Sequence, residues 1–253
     1  MPSNNELKYS SLGESFGISG ELAKNPKSVF KSTVTYRRLV IKDTLLSNNK
    51  PDNTLVIRLE YNLKLFKGAI TSSTFYEVGS GLESKKDFIY LEVPSGQGAY
   101  SWIDQNGDGI KTLDEYVQAV YQDTAKYIRV FTPTNDFTKV YTTQFNEVFN
   151  LNPRVVWGGK TGIKKFVSRF SNQLVYRIDR KTQRANFLEA FNPFYTSLTI
   201  GDSIPDTTLV TLTSSLRNTF FFNRSSSKVG ADYTYAQNNS KVYLANGFET
   251  RRN

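Results

Sequence analysis

A strict two-residue alternation between residues 54 and 66 constrains the fold of this chain more than any other feature of its sequence. In the segment TLVIRLEYNLKLF the apolar residues share one face, and they are Leu55, Ile57, Leu59, Tyr61, Leu63 and Leu65. Arg58, Glu60 and Lys64 fall on the opposite face. Side chains alternate across a strand, whereas a helix would scatter these apolar groups all round. The segment therefore predicts a strand of an antiparallel sheet that has one apolar face and one wet face.

Similar patterns along the chain predict a mainly β fold of antiparallel sheets. We expect further strands at residues 33–42, 74–78, 87–93, 99–103, 126–131, 137–145, 165–178, 208–222, 228–235 and 240–249. Aromatic residues make up 14% of the chain, and Tyr and Phe suit a pleated surface. Breaks in the pattern predict a turn at residues 79–81, a hairpin around residues 236–239 and a short helix at residues 113–122.

A concentration of Pro and Gly at residues 150–164 predicts a boundary between two regions. We expect a β-sandwich-like region at residues 1–155 and a region of long amphipathic strands, part of a larger sheet or barrel, at residues 156–253. Long alternating strands with Tyr and Phe near their ends fit an outer-membrane barrel. A one-sided soluble sheet produces the same alternation, and the pattern alone favours that second interpretation.

The sharpest local motif is DQNGDGIKTLDE at residues 104–115, which matches the calcium-binding loop of EF-hands. The predicted ligands, in chain order, are Asp104, Asn106, Asp108, the main-chain carbonyl of Ile110, Thr112 and the carboxylate of Glu115. Gly109 stands at the sixth position, where the turn needs a residue without Cβ. Alternate residues of a tight loop can turn their oxygens inward, and a distant Glu can close the far side. The motif therefore predicts one bound Ca²⁺.

Two departures make this loop a lone structural site. Lys111 occupies the eighth position, which is usually apolar, and the incoming segment is strand-like and not helical. The chain has no second loop of this kind. Extracellular sites of this type have a Kd of about 10⁻⁴–10⁻³ M, so they hold calcium outside the cell and lose it in the cytosol. The loop thus favours an exported chain, and the alternative is an Asx/Gly-rich turn that binds no ion.

The chain contains neither His nor Cys, which narrows the chemistry open to it. The absence excludes Ser-His-Asp and Cys-His catalysis, thiolate metal sites and disulfides. Gly158-Gly159-Lys160-Thr161 is similar to the end of a P-loop, but Arg154 stands where that motif requires Gly. We therefore expect a protein that is not an enzyme.

The formal net charge of +9 is spread along the chain in short pairs such as Arg37-Arg38 and Lys164-Lys165. Scattered charges are typical of solvated strand faces, so we do not expect a nucleic-acid surface. The N-terminal segment lacks the apolar stretch of a signal peptide, and the C-terminal residues directly follow a strand-like run. These ends favour an internal piece of a longer protein.

Several segments together resemble the large, uncharacterised outer-membrane and cell-surface proteins of the Bacteroidota. They are TYRRLVI at residues 35–41, GQGAYSWIDQNGDGIKTLDEY at 96–116, AKYIRVFTPTNDF at 125–137 and SSSKVGADYTYAQNNSKVYLANGFETR at 225–251. The resemblance implies a fragment of a longer exported β protein at the cell surface or outer membrane of a bacterium. Its partners would be the rest of that chain or other cell-envelope proteins. The resemblance implies no catalytic residue.

Three functions are compatible with these features. The leading hypothesis is a structural or interaction segment of a bacterial surface protein, stabilised by one calcium ion. The second is a secreted carbohydrate-binding module, which would present coplanar aromatic side chains to a glycan. The third is a carboxylate-dependent glycoside hydrolase, which needs two acidic side chains about 5–10 Å apart in a cleft.

Overall fold

The computed structural model describes residues 8–47, 50–183, 190–194, 208–224, 226, 228–244 and 247–252. It confirms the prediction of a mainly β fold with antiparallel sheets. Within this part of the chain, no helix is long and apolar enough to cross a membrane.

The strands of the described residues are β1 (Ser11–Asn25), β2 (Ser28–Ile41), β3 (Asp52–Leu65), β4 (Ile70–Glu92), β5 (Tyr100–Trp102), β6 (Tyr116–Gln118), β7 (Tyr127–Leu151), β8 (Phe170–Thr182), β9 (Leu209–Phe222), β10 (Ala231–Leu244) and β11 (Gly247–Arg252). The helices are α1 (Arg154–Trp157) and α2 (Ile163–Val167), and short 3₁₀ turns lie at Phe66–Gly68, Leu113–Glu115 and Gln122–Thr124.

Two strands are longer than their local sequence pattern indicates. The predicted strand at residues 74–78 and all but the last residue of the one at 87–93 lie within β4, so the predicted turn at residues 79–81 is wrong. All but the first residue of the predicted strand at 126–131 and the whole of the one at 137–145 lie within β7. Pairing with neighbouring strands carries the chain through positions that would favour a turn in isolation.

Three further predictions are corrected by the structure. The expected helix at residues 113–122 is a 3₁₀ turn followed by β6. The expected hairpin around residues 236–239 is the interior of β10, and residues 245 and 246 of its predicted second arm lie outside the described residues. The first residues of the expected strand at 165–178 belong to α2, because the chain turns there before β8 begins.

The contacts divide the chain into two compact units that interleave along the sequence. The first comprises the described residues of Met1–Leu82, Lys139–Val242 and Thr250–Asn253, and the second those of Glu83–Thr138 and Tyr243–Glu249. Both β4 and β7 contribute residues to each unit. The sequence, in contrast, predicts two consecutive regions at residues 1–155 and 156–253.

In the first unit, β1 to β4 form one antiparallel meander and β7 to β10 form another. β4 also pairs with β7. The core lies on one face of β7, β8 and β9 and contains Phe145, Tyr176, Ile178, Leu209 and Leu212. These side chains share a face because the register places Phe145 opposite Ile178, and alternate residues of neighbouring strands line up.

Polar side chains of this face hold the segment at residues 190–194 through its main-chain carbonyls. Three hydroxyl groups donate to this segment: Thr143 Oγ1 to Ala190 O (2.6 Å), Tyr76 Oη to Phe191 O (2.6 Å) and Tyr176 Oη to Pro193 O (2.8 Å). Arg180 Nη2 donates to Ala190 O (2.8 Å) and to Asn192 O (3.1 Å). Burial raises the pKa of Tyr76, an effect that the positive charge of Arg180 partly offsets. The segment is therefore fixed by buried hydrogen bonds as well as by apolar contact.

In the second unit, β5 pairs with both β6 and the start of β7. Aromatic rings pack beside this small sheet, where Tyr90 and Tyr116 stack with ring centroids 4.0 Å apart. The tyrosine rings and the strand pairing together position the loop that joins β5 to β6.

Candidate metal site

The loop at residues 104–115 closes between two paired strands. Trp102, the last residue of β5, lies opposite Tyr116, the first residue of β6. Ile103 N donates a hydrogen bond of 3.0 Å to Glu115 O, which extends the pairing to the base of the loop. The strand ladder thus brings the first and last predicted ligands of the loop close to each other.

Hydrogen bonds within the loop turn its acidic side chains inward. Asp104 Oδ1 accepts from Gly107 N (2.7 Å), Asp104 Oδ2 from Gly109 N (2.9 Å), Asn106 Oδ1 from Asp108 N (2.9 Å) and Asp108 Oδ1 from Ile110 N (2.6 Å). Gly107 and Gly109 have φ values of +75° and +72°, in the left-handed region that glycine adopts without steric cost. The glycines therefore permit the tight turn that the carboxylates organise.

Three carboxylates meet at this turn. One oxygen from each of Asp104, Asp108 and Glu115 lies within 4.8 Å of the others. Asp108 is exposed, whereas Glu115 is only 1% exposed. Like charges this close repel one another unless a cation lies between them. The three residues could hold a metal ion.

Glu115 is the buried member of this triad, and its two oxygens differ in their surroundings. Oε2 accepts hydrogen bonds from Trp102 Nε1 (2.9 Å) and Thr112 N (3.2 Å). Oε1 is buried and finds no hydrogen-bond partner in the described part of the chain. A buried carboxylate oxygen without a partner is costly, and a bound cation would supply the missing interaction.

The six predicted ligands have different roles in the structure. The structure brings the carboxylates of Asp104, Asp108 and Glu115 together, as the motif predicts. Asn106 uses its amide within the turn, where Nδ2 lies 3.0 Å from Asp108 Oδ2. The predicted contribution of Ile110 is its main-chain carbonyl, and its side chain is 63% exposed. Thr112 N already contacts the Glu115 carboxylate.

Lys111 and Trp102 are neighbours of the site that the motif does not specify. Lys111 Nζ lies 3.2 Å from Glu92 Oε2, 5.8 Å from the centre of the Trp102 ring and 5.1 Å from that of Tyr127. Hydrogen bonding to Tyr127 and to Glu92 holds the pKa of Lys111 above its usual value. The aromatic run before the loop was the only signal in the sequence for this arrangement.

The donor atoms of the triad decide which ions the loop could accept. All of them are oxygens, and the chain has no His or Cys to offer nitrogen or sulfur. Oxygen ligands of this kind suit hard cations such as Ca²⁺, Mg²⁺ and Mn²⁺. Comparison of the chain with protein-family models, with curated proteins and with solved structures gives no match.

Proposed function

We propose that this chain is a structural or interaction segment of an exported bacterial surface protein, stabilised by one calcium ion in the loop at residues 104–115. The observation that carries the proposal is the buried Glu115 carboxylate. Its Oε1 is without a hydrogen-bond partner among the described residues, and one of its oxygens lies within 4.8 Å of oxygens from Asp104 and Asp108.

The spacing of the loop favours calcium over other hard cations. Ca²⁺ accepts about six to eight oxygens in a flexible geometry, whereas Mg²⁺ demands a near-octahedral shell and keeps several waters. The EF-hand positions at residues 104–115 offer carboxylates, an amide, a main-chain carbonyl and a hydroxyl, a mixture that suits the larger ion.

Bound calcium would stabilise the second unit by joining the two ends of the loop. With a Kd of about 10⁻⁴–10⁻³ M and calcium near 2 mM, binding to the folded state alone contributes about 0.6–1.8 kcal/mol. In a chain of this size, that corresponds to a rise in melting temperature of about 1–7 °C.

The affinity assumed for the loop, that of calcium sites in extracellular modules, supports an exported location. A weak site fills where calcium is millimolar and empties in the cytosol, so a stabilising role requires an extracytoplasmic setting. A structural role, and not a catalytic one, agrees with a chain that has no His or Cys.

The test is thermal unfolding of the full chain in calcium at about 2 mM and then in EGTA. The variants are Glu115→Gln, which removes the buried charge at constant shape, and Asp123→Asn, which removes an exposed charge of the same unit outside the loop. We expect calcium to raise the melting temperature of the wild type and of Asp123→Asn but not of Glu115→Gln.

The metal-free state gives a second readout. In EGTA, Glu115→Gln should melt at or above the wild-type temperature, because it relieves repulsion among three carboxylates. Magnesium at the same concentration should stabilise the wild type less than calcium does. A wild type that melts identically in calcium and in EGTA would show that the loop is only a turn, and the argument for export would be lost with it.

A further inference from the structure

A polar cavity of about 620 Å³ lies within the first unit, far along the chain from the acidic loop. Four cationic side chains line it, namely Arg154, Lys165, Arg169 and Arg224. None of the described residues that line it is Asp or Glu. The described residues of this cavity therefore carry a single sign of charge, and clefts of this kind attract ions of the opposite sign.

The sequence concentrates positive charge in the two segments that form this cavity. Residues 148–178 contain six Lys or Arg and no acidic residue, and residues 208–231 contain three Lys or Arg and no acidic residue. All 23 Asp and Glu lie outside these two segments, and residues 22–42 are a further stretch with six Lys or Arg and no acidic residue. The two segments are therefore basic stretches of the chain that meet at this cavity.

Contacts with neutral groups position two of the cations, Lys165 and Arg224. Lys165 Nζ donates to Gly158 O at 2.5 Å, which places the ammonium between α1 and α2. The Arg224 guanidinium lies over the Phe221 ring, 4.2 Å from its centre. Asn223 N donates to Arg169 O at 2.8 Å, so the Arg169 main chain is tied to the end of β9. Among the residues that the structure describes, no carboxylate forms an ion pair with any of the four.

We infer that this cavity binds a small hydroxylated molecule that carries at least two phosphate or sulfate groups. Guanidinium groups offer paired N–H donors that match the oxygens of these anions, and the anion offsets the repulsion among the cations. Asn150, Ser171 and Gln173 also line the cavity and can hydrogen-bond hydroxyl groups.

The size of the cavity supports a ligand larger than a single inorganic ion. Its volume of about 620 Å³ falls within the range of about 300–1,000 Å³ that is typical of small-molecule sites. A water molecule, in comparison, takes about 30 Å³ of liquid. A sugar with several anionic groups matches this volume and can meet more than one of the four cations.

Isothermal titration calorimetry on the full chain tests the inference with three ligands. They are a trisulfated heparin disaccharide, fructose bisphosphate and the same disaccharide without sulfates. We expect saturable binding of at least one anionic sugar, no binding of the unsulfated disaccharide, and weaker binding at high NaCl because salt screens the charges. Whether the sulfated or the phosphorylated sugar binds tells which of the two anions the cavity takes.

Matched double variants separate the cavity from the general positive charge of the protein. Arg154→Gln with Arg169→Gln removes two exposed cations of the cavity, and Arg37→Gln with Arg217→Gln removes two exposed cations of β2 and β9. We expect the first pair to weaken binding by about tenfold or more and the second by less than about twofold. Equal losses in both pairs, or no saturable binding of either anionic sugar by the wild type, would overturn the inference. Neither outcome depends on calcium, so this test is separate from that of the acidic loop.

Discussion

The indole Nε1 of Trp102 donates a hydrogen bond of 2.9 Å to Oε2 of Glu115. This bond connects the last residue of β5 to the carboxylate that closes the loop at residues 104–115. The partner oxygen of the same carboxylate, Oε1, is the one that a cation would satisfy. Trp102 therefore both orients the proposed ligand and lies close enough to report on the ion.

Trp102 fluorescence should follow calcium binding. In Trp157→Phe, Trp102 is the only remaining tryptophan, and we expect its emission to change saturably as calcium is added. Trp102→Phe should weaken calcium binding about tenfold, because groups that orient a metal ligand through hydrogen bonds typically contribute that much. The affinity of the second variant can be measured by calorimetry. Flat emission across the titration would place the ion, if any, away from Glu115.

Gly109→Ala should destabilise the loop through its backbone alone. An added Cβ would meet no described atom within 4 Å, but the φ of +72° lies in a region that costs other residues about 1–2 kcal/mol. We expect a higher Kd for calcium and a lower melting temperature in calcium. The control is Gly13→Ala, where the site is equally open and φ is not left-handed, so neither quantity should change.

Gly98→Ala should destabilise the second unit through a clash that calcium does not relieve. Its Cβ would lie 2.6 Å from Tyr127 N and 2.8 Å from Ala125 O, both of which are main-chain atoms. Overpacking of this kind costs about 1–3 kcal/mol. Thermal unfolding should show a lower melting temperature in calcium and in EGTA alike. A variant as stable as the wild type in both buffers would mean that the main chain at Ala125 can move away.

The raised pKa of Tyr76 predicts a loss of stability in alkali. Because burial favours the neutral phenol, its contribution is fully present below the unfolded pKa of about 10 and is lost as the pH rises through the higher folded value. We expect Tyr76→Phe to be less stable than the wild type at neutral pH, since Phe191 O loses its donor, and to lose less further stability above about pH 10.

Chemical denaturation at several pH values measures this difference. Tyr9→Phe is the control, because the Tyr9 side chain is 88% exposed and its hydroxyl is open to water. Parallel stability curves for Tyr76→Phe and the wild type above pH 10 would contradict the prediction.

Arg180→Met should loosen the segment at residues 190–194. The Arg180 side chain is fully buried and donates to the carbonyls of Ala190 and Asn192. In this variant Thr143 still donates a hydrogen bond to Ala190 O. The variant therefore loses mainly the donor to Asn192 O and the charge that strengthens the hydrogen bonds of Arg180. We expect the free energy of unfolding to fall by about 2–4 kcal/mol in urea titrations, with hydrogen exchange rising first at residues 190–194. Unchanged exchange there would show that the other contacts suffice.

The sequence predicted strands correctly where the alternation is visible within one segment. It failed where pairing with a distant segment determines the local structure. The strand expected at residues 54–66 is β3, because two-residue periodicity is visible within one segment. Gly79 suggested a turn, but it lies within β4. Glycine fits there because the neighbouring strand is so close that an added Cβ would lie 2.9 Å from Leu55 O. Asn239 suggested a hairpin, yet it is only 5% exposed and donates to Ser214 Oγ at 3.4 Å across the β9–β10 pair.

The acidic triad of the candidate metal site was predictable from the sequence, and the surroundings of the triad were not. The spacing from Asp104 to Glu115 identifies the acidic triad, because the turn itself sets that spacing. The burial of Glu115 and its bond to Trp102 depend on the pairing of β5 with β6, which no motif encodes. The cationic cavity was missed because its residues come from segments about fifty positions apart in the chain, and only the sheet brings them together.

The register between β7 and β8 has a practical consequence for dissecting this protein into fragments. Residues 141–151 of β7 pair with residues 172–182 of β8, so the ladder joins chain on both sides of residue 155. A fragment that stopped there would expose a row of unsatisfied main-chain donors and acceptors, the kind of open template that recruits other chains. Stable expression therefore requires cloning boundaries that keep this hairpin whole.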